Sequence, residues 1–551
     1  MENPSATGAP GSSLPTDTAA AGGPSGVQEP PRSLGSILRR IGPGFVLAGT
    51  IVGSGELVAT TATGAEAGFS LLWLIILGCV IKVFVQVEIG RQTVTHSESS
   101  LNAINSVPGP RLWFSLTKDR KVGANWIVWC WLMMFAATIV LFGGIIGGLG
   151  QSLAITIPLT EDGRILNQKR NLAMELRVKE AERKSVQLAE ADATAAEKEK
   201  LKARFIKLNE EIPEVEGKLA SLPSAASEAH DDKYWAAGLA AVTILLLVIG
   251  RYGFIEVLAF VLVSSFTIIT IVNLFLLQGY ESWSISGREI LDGLSFSLPE
   301  ASDERAPLIT ALATFGIIGV GAADLVLYPY WCLEKGYAKW TGKNDGSEAW
   351  KARARGWMRV LQWDAWSSCV LYTFSTVAFY LLGAAILGRI DLVPAGTEMI
   401  RTLSVMYEPV FGASAQLLFL FGAFAVLYST YFIGNAGKCR LATDALGVMN
   451  AAKIDDASRA RWIRCFAVIF PLVSTTIYFT VGSPVTLVLI GGVAQSLLLP
   501  MIAFAALYFR HRKCDPALQP GRAWDVMLVI CFIVFLVIGG YLAYATVAGA
   551  L

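Results

Sequence analysis

The chain has 551 residues, 45 Lys and Arg against 44 Asp and Glu, 54% hydrophobic residues and a mean hydropathy of +0.52, the composition of a polytopic membrane protein. A net charge of +1, with no basic block and no aromatic-interleaved basic groove, excludes nucleic acid as a partner. The eight cysteines show no metal-ligand spacing, and His96, His230 and His511 fall outside the apolar spans with no nucleophile, base or phosphate loop in view, which excludes an enzyme, an ATPase module and a bound cofactor.

Residues 1–33, rich in Pro, Gly, Ser and Ala, read as a disordered cytoplasmic tail without the basic start or apolar core of a signal peptide. Eleven apolar stretches follow, near 41–67, 70–90, 125–150, 234–250, 254–278, 307–332, 357–387, 409–436, 460–481, 484–509 and 523–547. Three of them lie in 34–160 and eight in 233–551. Basic clusters at Arg39 and Arg40, at Arg91 to Lys121, at Lys351 to Arg359, at Lys438 to Arg464 and at Arg510 to Lys513 all fall on one side if the N-terminus is cytoplasmic. The C-terminus is then expected outside, in a cell (inner) membrane protein. Residues 161–232 form a charged insertion after the third span, on the outer side. Leu172, Leu176 and Leu188, and then Leu201, Phe205, Leu208 and Ile212 after a capping box at Thr194 to Glu197, predict an antiparallel helical hairpin over about 165–212. It serves as a spacer or as a docking arm for an extracytoplasmic protein partner.

The first span is interrupted by Gly53-Ser54-Gly55-Glu56. Unwound backbone survives at the bilayer midplane only where it lines a cavity or binds something, and an ionisable group there is costly. Gly42-Pro43-Gly44-Phe45, the tetrapeptide, and Gly68-Phe69-Ser70-Leu71-Leu72-Trp73 together resemble the opening of the Nramp divalent-metal transporters. The resemblance extends through Gln86, Arg251-Tyr252-Gly253-Phe254, Trp363-Asp364, Gln495 and Leu499-Pro500. It implies an all-α LeuT-like fold of five-plus-five inverted repeats with an eleventh peripheral span, the first and sixth being broken near Gly53 to Glu56 and near Val320 to Asp324.

The site motifs depart from that family. Gly53 and Glu56 stand where its Asp and Asn ligands stand, and Gly316-Ile317-Ile318-Gly319 is followed by Val320-Gly321-Ala322-Ala323-Asp324-Leu325 instead of a segment ending Met-Pro-His. Ala323 thus replaces the thioether, Asp324 the Pro and Leu325 the His, and Leu141 replaces a third-span Glu of the proton path. By the resemblance, Val320 offers a backbone carbonyl. Loss of the soft sulfur weakens selection for transition metals. Glu56 and Asp324, facing one another, would form an all-oxygen site for Mn²⁺ or Mg²⁺ as transported substrate, with Gly53, Ser54, Ala323 and Gln495 around it. Weak or absent proton coupling is expected with it.

Each residue also has a plainer reading. Glu56 suits a helix cap, Asp324 a buried counter-ion, and Gln495 a bridge between helices. Lys82, twelve residues into the second span, is too deep to snorkel and is expected to pair with a carboxylate, as a structural ion pair or a mobile charge. Glu88, Glu256 and Asp364, near the ends of spans, suit pairing or gating networks. Gly53-Ser54-Gly55 also resembles the break in amino-acid permeases of the same plan, where half-helix N–H groups hold a carboxylate. An amino-acid or small-carboxylate permease and a non-transporting receptor or scaffold are therefore the alternatives.

Overall fold

The computed structural model describes residues 26–117, 120–192, 195–223, 229–249, 252–280, 282–298 and 306–548. Helix α1 (Pro43–Ile51) opens on Pro43, whose missing N–H costs nothing in a first turn. A π-helical turn, Ser54–Thr60, leads into α2 (Thr61–Ala67), and the two halves meet at 44°. Next come α3 (Leu72–His96) and α4 (Trp126–Thr156), joined by an antiparallel ribbon of β1 (Arg111–Thr117) and β2 (Arg120–Asn125) with Arg111 opposite Asn125. The expectation of an all-helical chain is corrected there: Leu112-Trp113-Phe114 has strand-forming residues, and Trp113 lies against Gly123, where a larger residue would collide with its ring.

The insertion is α5 (Glu161–Asp192) and α6 (Ala195–Ser221), longer at both ends than 165–212. Thr160 accepts from the Gly163 N–H at 3.0 Å and so starts α5 a turn early; Thr194 of the expected capping box lies outside the described residues. Met174, Val186, Leu208, Ile212 and Val215 are buried. Lys179–Glu211 (2.6 Å) and Arg204–Glu182 (2.7 Å) tie the helices together, and the Lys179 hydrogen bond holds the Glu211 carboxyl below its ordinary range.

Helix α5 is docked on its own chain. Arg170 pairs with Glu398 at 2.8 Å, and buried Arg401 donates to Asn167 (2.8 Å) and Asn171 (2.6 Å) while also pairing with Glu398.

The chain continues through α7 (Asp231–Ile249), α8 (Tyr252–Leu277), α9 (Ala306–Ile317), α10 (Ala322–Lys335), α11 (Glu348–Leu382), α12 (Ala415–Val448), α13 (Asp456–Val481), α14 (Pro484–Tyr508) and α15 (Arg522–Val547). Among the described residues nine helices are long and apolar enough to cross a membrane, ten with the bent first pair, against the eleven expected. The remaining stretch, 254–278, is α8, whose described apolar part is only Ser264–Leu277; Arg251 lies outside the described residues. Small residues bring the helices close. A Cβ on Gly144 would stand 2.5 Å from Pro484 O, and one on Gly147 2.4 Å from the Tyr478 ring, so α4 packs directly on α13 and α14.

Two more expectations are corrected. Residues 1–25 of the tail lie outside the described residues, but 26–33 are seated rather than free: the Gln28 N–H donates to Trp340 O, the Trp357 indole donates to Gln28 O (both 3.0 Å), and Pro30 lies against Gly356. Lys438, read as the start of a basic loop, is buried inside α12, because Asn435-Ala436-Gly437 continues the helix and lets it run to Val448.

Candidate functional site

The first break is set by close approach. A Cβ on Gly53 would stand 2.0 Å from Thr430 Oγ1 of α12, so glycine is needed there, and one on Gly55 would press at 3.1 Å on Ile317 O of α9. Ser54 contributes its backbone as the first residue of the π turn. Glu56 is fully buried: Oε1 accepts from the Gly319 N–H at 3.3 Å and from Thr376 Oγ1 at 3.1 Å, and Oε2 has no hydrogen-bond partner. The carboxylate thus bridges the first break to the second and to α11. Thr63 and Thr314 share a hydrogen bond of 2.9 Å that fastens α2 to α9.

The second break is the non-helical stretch 318–321 between α9 and α10, earlier than the expected Val320 to Asp324 because the helix resumes at Ala322, with Val320 buried in it. Gly319 has φ +55, the left-handed region, and a Cβ there would stand 3.0 Å from Cys79 Cα. Lys82 Nζ reaches this break from α3, donating to Phe315 O and to Ile318 O (2.7 Å), 4.7 Å from the Phe315 ring centroid. The expected pairing with a carboxylate is corrected. Among the described residues Lys82 makes no ion pair, because the bare carbonyls at the end of α9 are the nearer acceptors. One turn on, buried Gln86 has neither amide atom hydrogen-bonded.

Helix α10 opens with Gly321 as its N-cap and Asp324 in its first turn, where a carboxylate is favoured. Gln495 Oε1 accepts from the Ala323 N–H at 3.0 Å, capping the half-helix from α14, and a Cβ on Gly321 would stand 2.7 Å from that oxygen. Asp324 accepts from the Gly321 N–H and, at a long 3.5 Å, from Thr50 Oγ1, and makes no ion pair among the described residues.

Asp324 faces a cavity of about 50 Å³ that Ala323, Gln495, Thr50, Thr138 and Gly55 also line. Glu56 does not line it, so the two acids meet different surroundings. Lys438 does, with Nζ held 3.4 Å from the Phe142 ring centroid. Leu141 also faces the cavity and packs on Gly491. Among the described residues no three His, Cys, Asp or Glu side chains converge in a way that could hold a metal ion.

Outside the cavity, buried Asp364 of α11 accepts from the N–H groups of Gly42 and Gly44 (both 2.7 Å) and from the Tyr328 hydroxyl (2.9 Å), binding α1 and α10 to α11. Glu88 pairs with Arg91 at 3.1 Å. The Glu256 side chain lies outside the described residues. Thr50, Thr376 and Lys438 escaped the sequence reading. The only signal for Lys438 was that the apolar helix pattern runs on past it.

The sequence pattern of the Natural resistance-associated macrophage protein-like (Nramp) family matches residues 210–545, more than half of the chain. The chain belongs to this family. The matched residues begin after the first break, in the last turns of α6, so the Nramp assignment rests on α7 to α15 and not on the altered first-span motif. Among solved structures, the manganese transporter of Eremococcus coleocola in complex with an aromatic bis-isothiourea compound aligns at TM-score 0.55 and 13% identity, covering 94% of this chain and 90% of that one. A mutant of the same transporter aligns at TM-score 0.55 and 14% identity, covering 93% and 88%. At such identities the likeness is one of fold, the LeuT fold. No curated protein sequence matches the chain. It is a multi-pass membrane transporter of the Nramp family and not an enzyme.

Proposed function

We propose that this Nramp protein carries a small, hard divalent cation, Mn²⁺ or Mg²⁺, by alternating access, with Asp324 as the principal ligand. The observation that carries the reading is an acid with no ion-pair partner among the described residues, facing a small cavity at a helix break. At the roughly 10–15 Å³ a water needs, about 50 Å³ holds an ion with a few waters, which suits cations that shed hydration reluctantly. Thr50 and Gln495 add oxygen atoms to the set. Glu56 completes it by a rearrangement that carries its unpartnered Oε2 to the cavity as the two breaks move. With Ala323, Leu325 and Leu141 in place of sulfur and proton-handling groups, the carrier discriminates little between Mn²⁺ and Mg²⁺ and couples weakly to protons.

In this reading α1 to α8 and α9 to α14 form the inverted repeats, with α15 peripheral and the hairpin outside. Cysteines introduced at Ala191 and Ala195 then react with an impermeant maleimide in intact cells; labelling only after lysis reverses the orientation. Uptake into proteoliposomes containing a pH dye tests the site. Asp324→Asn should abolish uptake and Glu56→Gln reduce it, while Mn²⁺ uptake that ignores excess Mg²⁺, or acidifies the lumen in proportion to flux, contradicts the selectivity or the coupling claim.

Lys438 favours a second reading. A cation in the cavity beside Asp324 suits a zwitterion, its amine on the acid and its carboxylate on the lysine. A small amino-acid panel in the same assay separates the two.

A further inference from the structure

Lys82 is a charge in the centre of the protein that the proposed site does not use. The last carbonyls of a helix lack intrahelical donors and carry partial negative charge, and at the membrane midplane they must be satisfied from within the protein. At the end of α9, Phe315 O and Ile318 O both accept from Lys82 Nζ, and the Phe315 ring face lies 4.7 Å away. Carbonyl oxygens with an aromatic face are the surroundings in which a small monovalent cation is held. The left-handed turn at Gly319 presents this end to α3, and Gly78, one turn before Lys82, leaves room for it: a Cβ there would stand 2.9 Å from both Ile318 and Phe315. The ammonium therefore sits where the backbone has built a cation site, held by carbonyls and not by a carboxylate.

We infer that Lys82 is a tethered cation: its ammonium permanently fills a monovalent-cation site at the end of α9, so that the carrier cycles without Na⁺ or K⁺. A helix end that a free ion would have to fill in each cycle is filled here by the chain.

The test is thermal unfolding of the full-length protein in detergent, free of divalent ions, with Na⁺, K⁺ or methylammonium exchanged for N-methylglucamine at constant ionic strength. Wild type should melt at one temperature in all four. Lys82→Ala should melt lower and be restored, saturably, by at least one of the three small cations. A folded Lys82→Ala protein indifferent to all three, or wild type stabilised saturably by Na⁺ or K⁺, overturns the inference. The variant Lys82→Ala with Glu56→Gln removes the acid as well. Persistence of the cation response there places it at the carbonyls, whereas recovery of stability without it makes Lys82 a mere counter-ion and overturns the inference. Should neither variant fold, wild-type uptake decides: rates unchanged on swapping Na⁺ for K⁺ or N-methylglucamine uphold it, and dependence on either ion sinks it. The melting arms contain no divalent ion or amino acid, so their outcome is independent of the identity of the solute.

Discussion

The midplane and the hairpin both hold charged residues, and they hold them in opposite ways. In the hairpin and where it docks, Lys179, Arg204, Arg170 and, from the chain beneath, Arg401 each meet a carboxylate directly. At the midplane Glu56, Lys82, Asp324 and Lys438 make no ion pair among the described residues; each rests on a backbone group, a hydroxyl or an aromatic ring. A directly paired charge is committed to holding two elements together. One held by dipoles keeps capacity for a visitor, and that capacity is what a transport site requires.

The contrast breaks most visibly at Arg401. Arg401→Ala takes the donor from Asn167 and one of two donors from Glu398 and from Asn171, which keep Arg170 and Gln416, and a cost of about 2–3 kcal/mol is expected, below the ~3–5 for a wholly buried pair because Glu398 stays 30% exposed and keeps Arg170. Hydrogen exchange in α5 should rise while uptake is kept; lost uptake in folded protein would make the hairpin part of the transport machinery. Gly53→Ala, next in size, forces a methyl group onto Thr430 at a cost of about 1–3 kcal/mol. It should lower both the melting temperature and the uptake rate, with α5 exchange unchanged.

Lys438→Met sharpens the comparison within the core. A divalent cation should bind about tenfold more tightly, roughly 1.4 kcal/mol, once the neighbouring positive charge is gone, whereas zwitterion uptake should vanish. Concentration dependence of uptake reads out both. The smallest effect is that of pH on the hairpin. Because Glu211 titrates below its ordinary value of 4.5 when folded, the Lys179 contact contributes fully above that value and is lost as pH falls beneath it. Spin labels at Glu180 and Ala203 should keep one separation from pH 8 to 5 and spread below; spreading on the alkaline side would contradict the assignment.

Both breaks were legible because glycine clusters inside apolar runs have few other uses at that depth. What the sequence concealed is direction. Glu56 and Asp324 stand at the breaks, but whether they face one cavity depends on helix rotation, which a one-dimensional pattern does not carry. The partners of Lys82 were hidden for another reason: backbone carbonyls have no sequence signature, so a buried lysine prompts a search for an acid. Lys438 misled through the rule that orients loops, since a cation at the end of an apolar run reads as the start of a loop until the helix is seen to continue. The ribbon around Trp113 and the seating of Gln28 depend on contacts distant in sequence.

The balance of the four midplane charges bears on how the membrane potential acts. Two acids, Glu56 and Asp324, stand against two bases, Lys82 and Lys438, and a proton passed from a base to an acid leaves their sum at zero, so the empty carrier reorients with no net charge at its centre. The divalent passenger proposed above would add two. At about 2.3 kcal/mol per elementary charge per 100 mV, the field would then act on the loaded step alone, and on the proposed reading a negative interior would draw the ion inward without any second ion descending a gradient. Steady-state uptake would accordingly be electrogenic, and the return of the unloaded protein would be electrically silent.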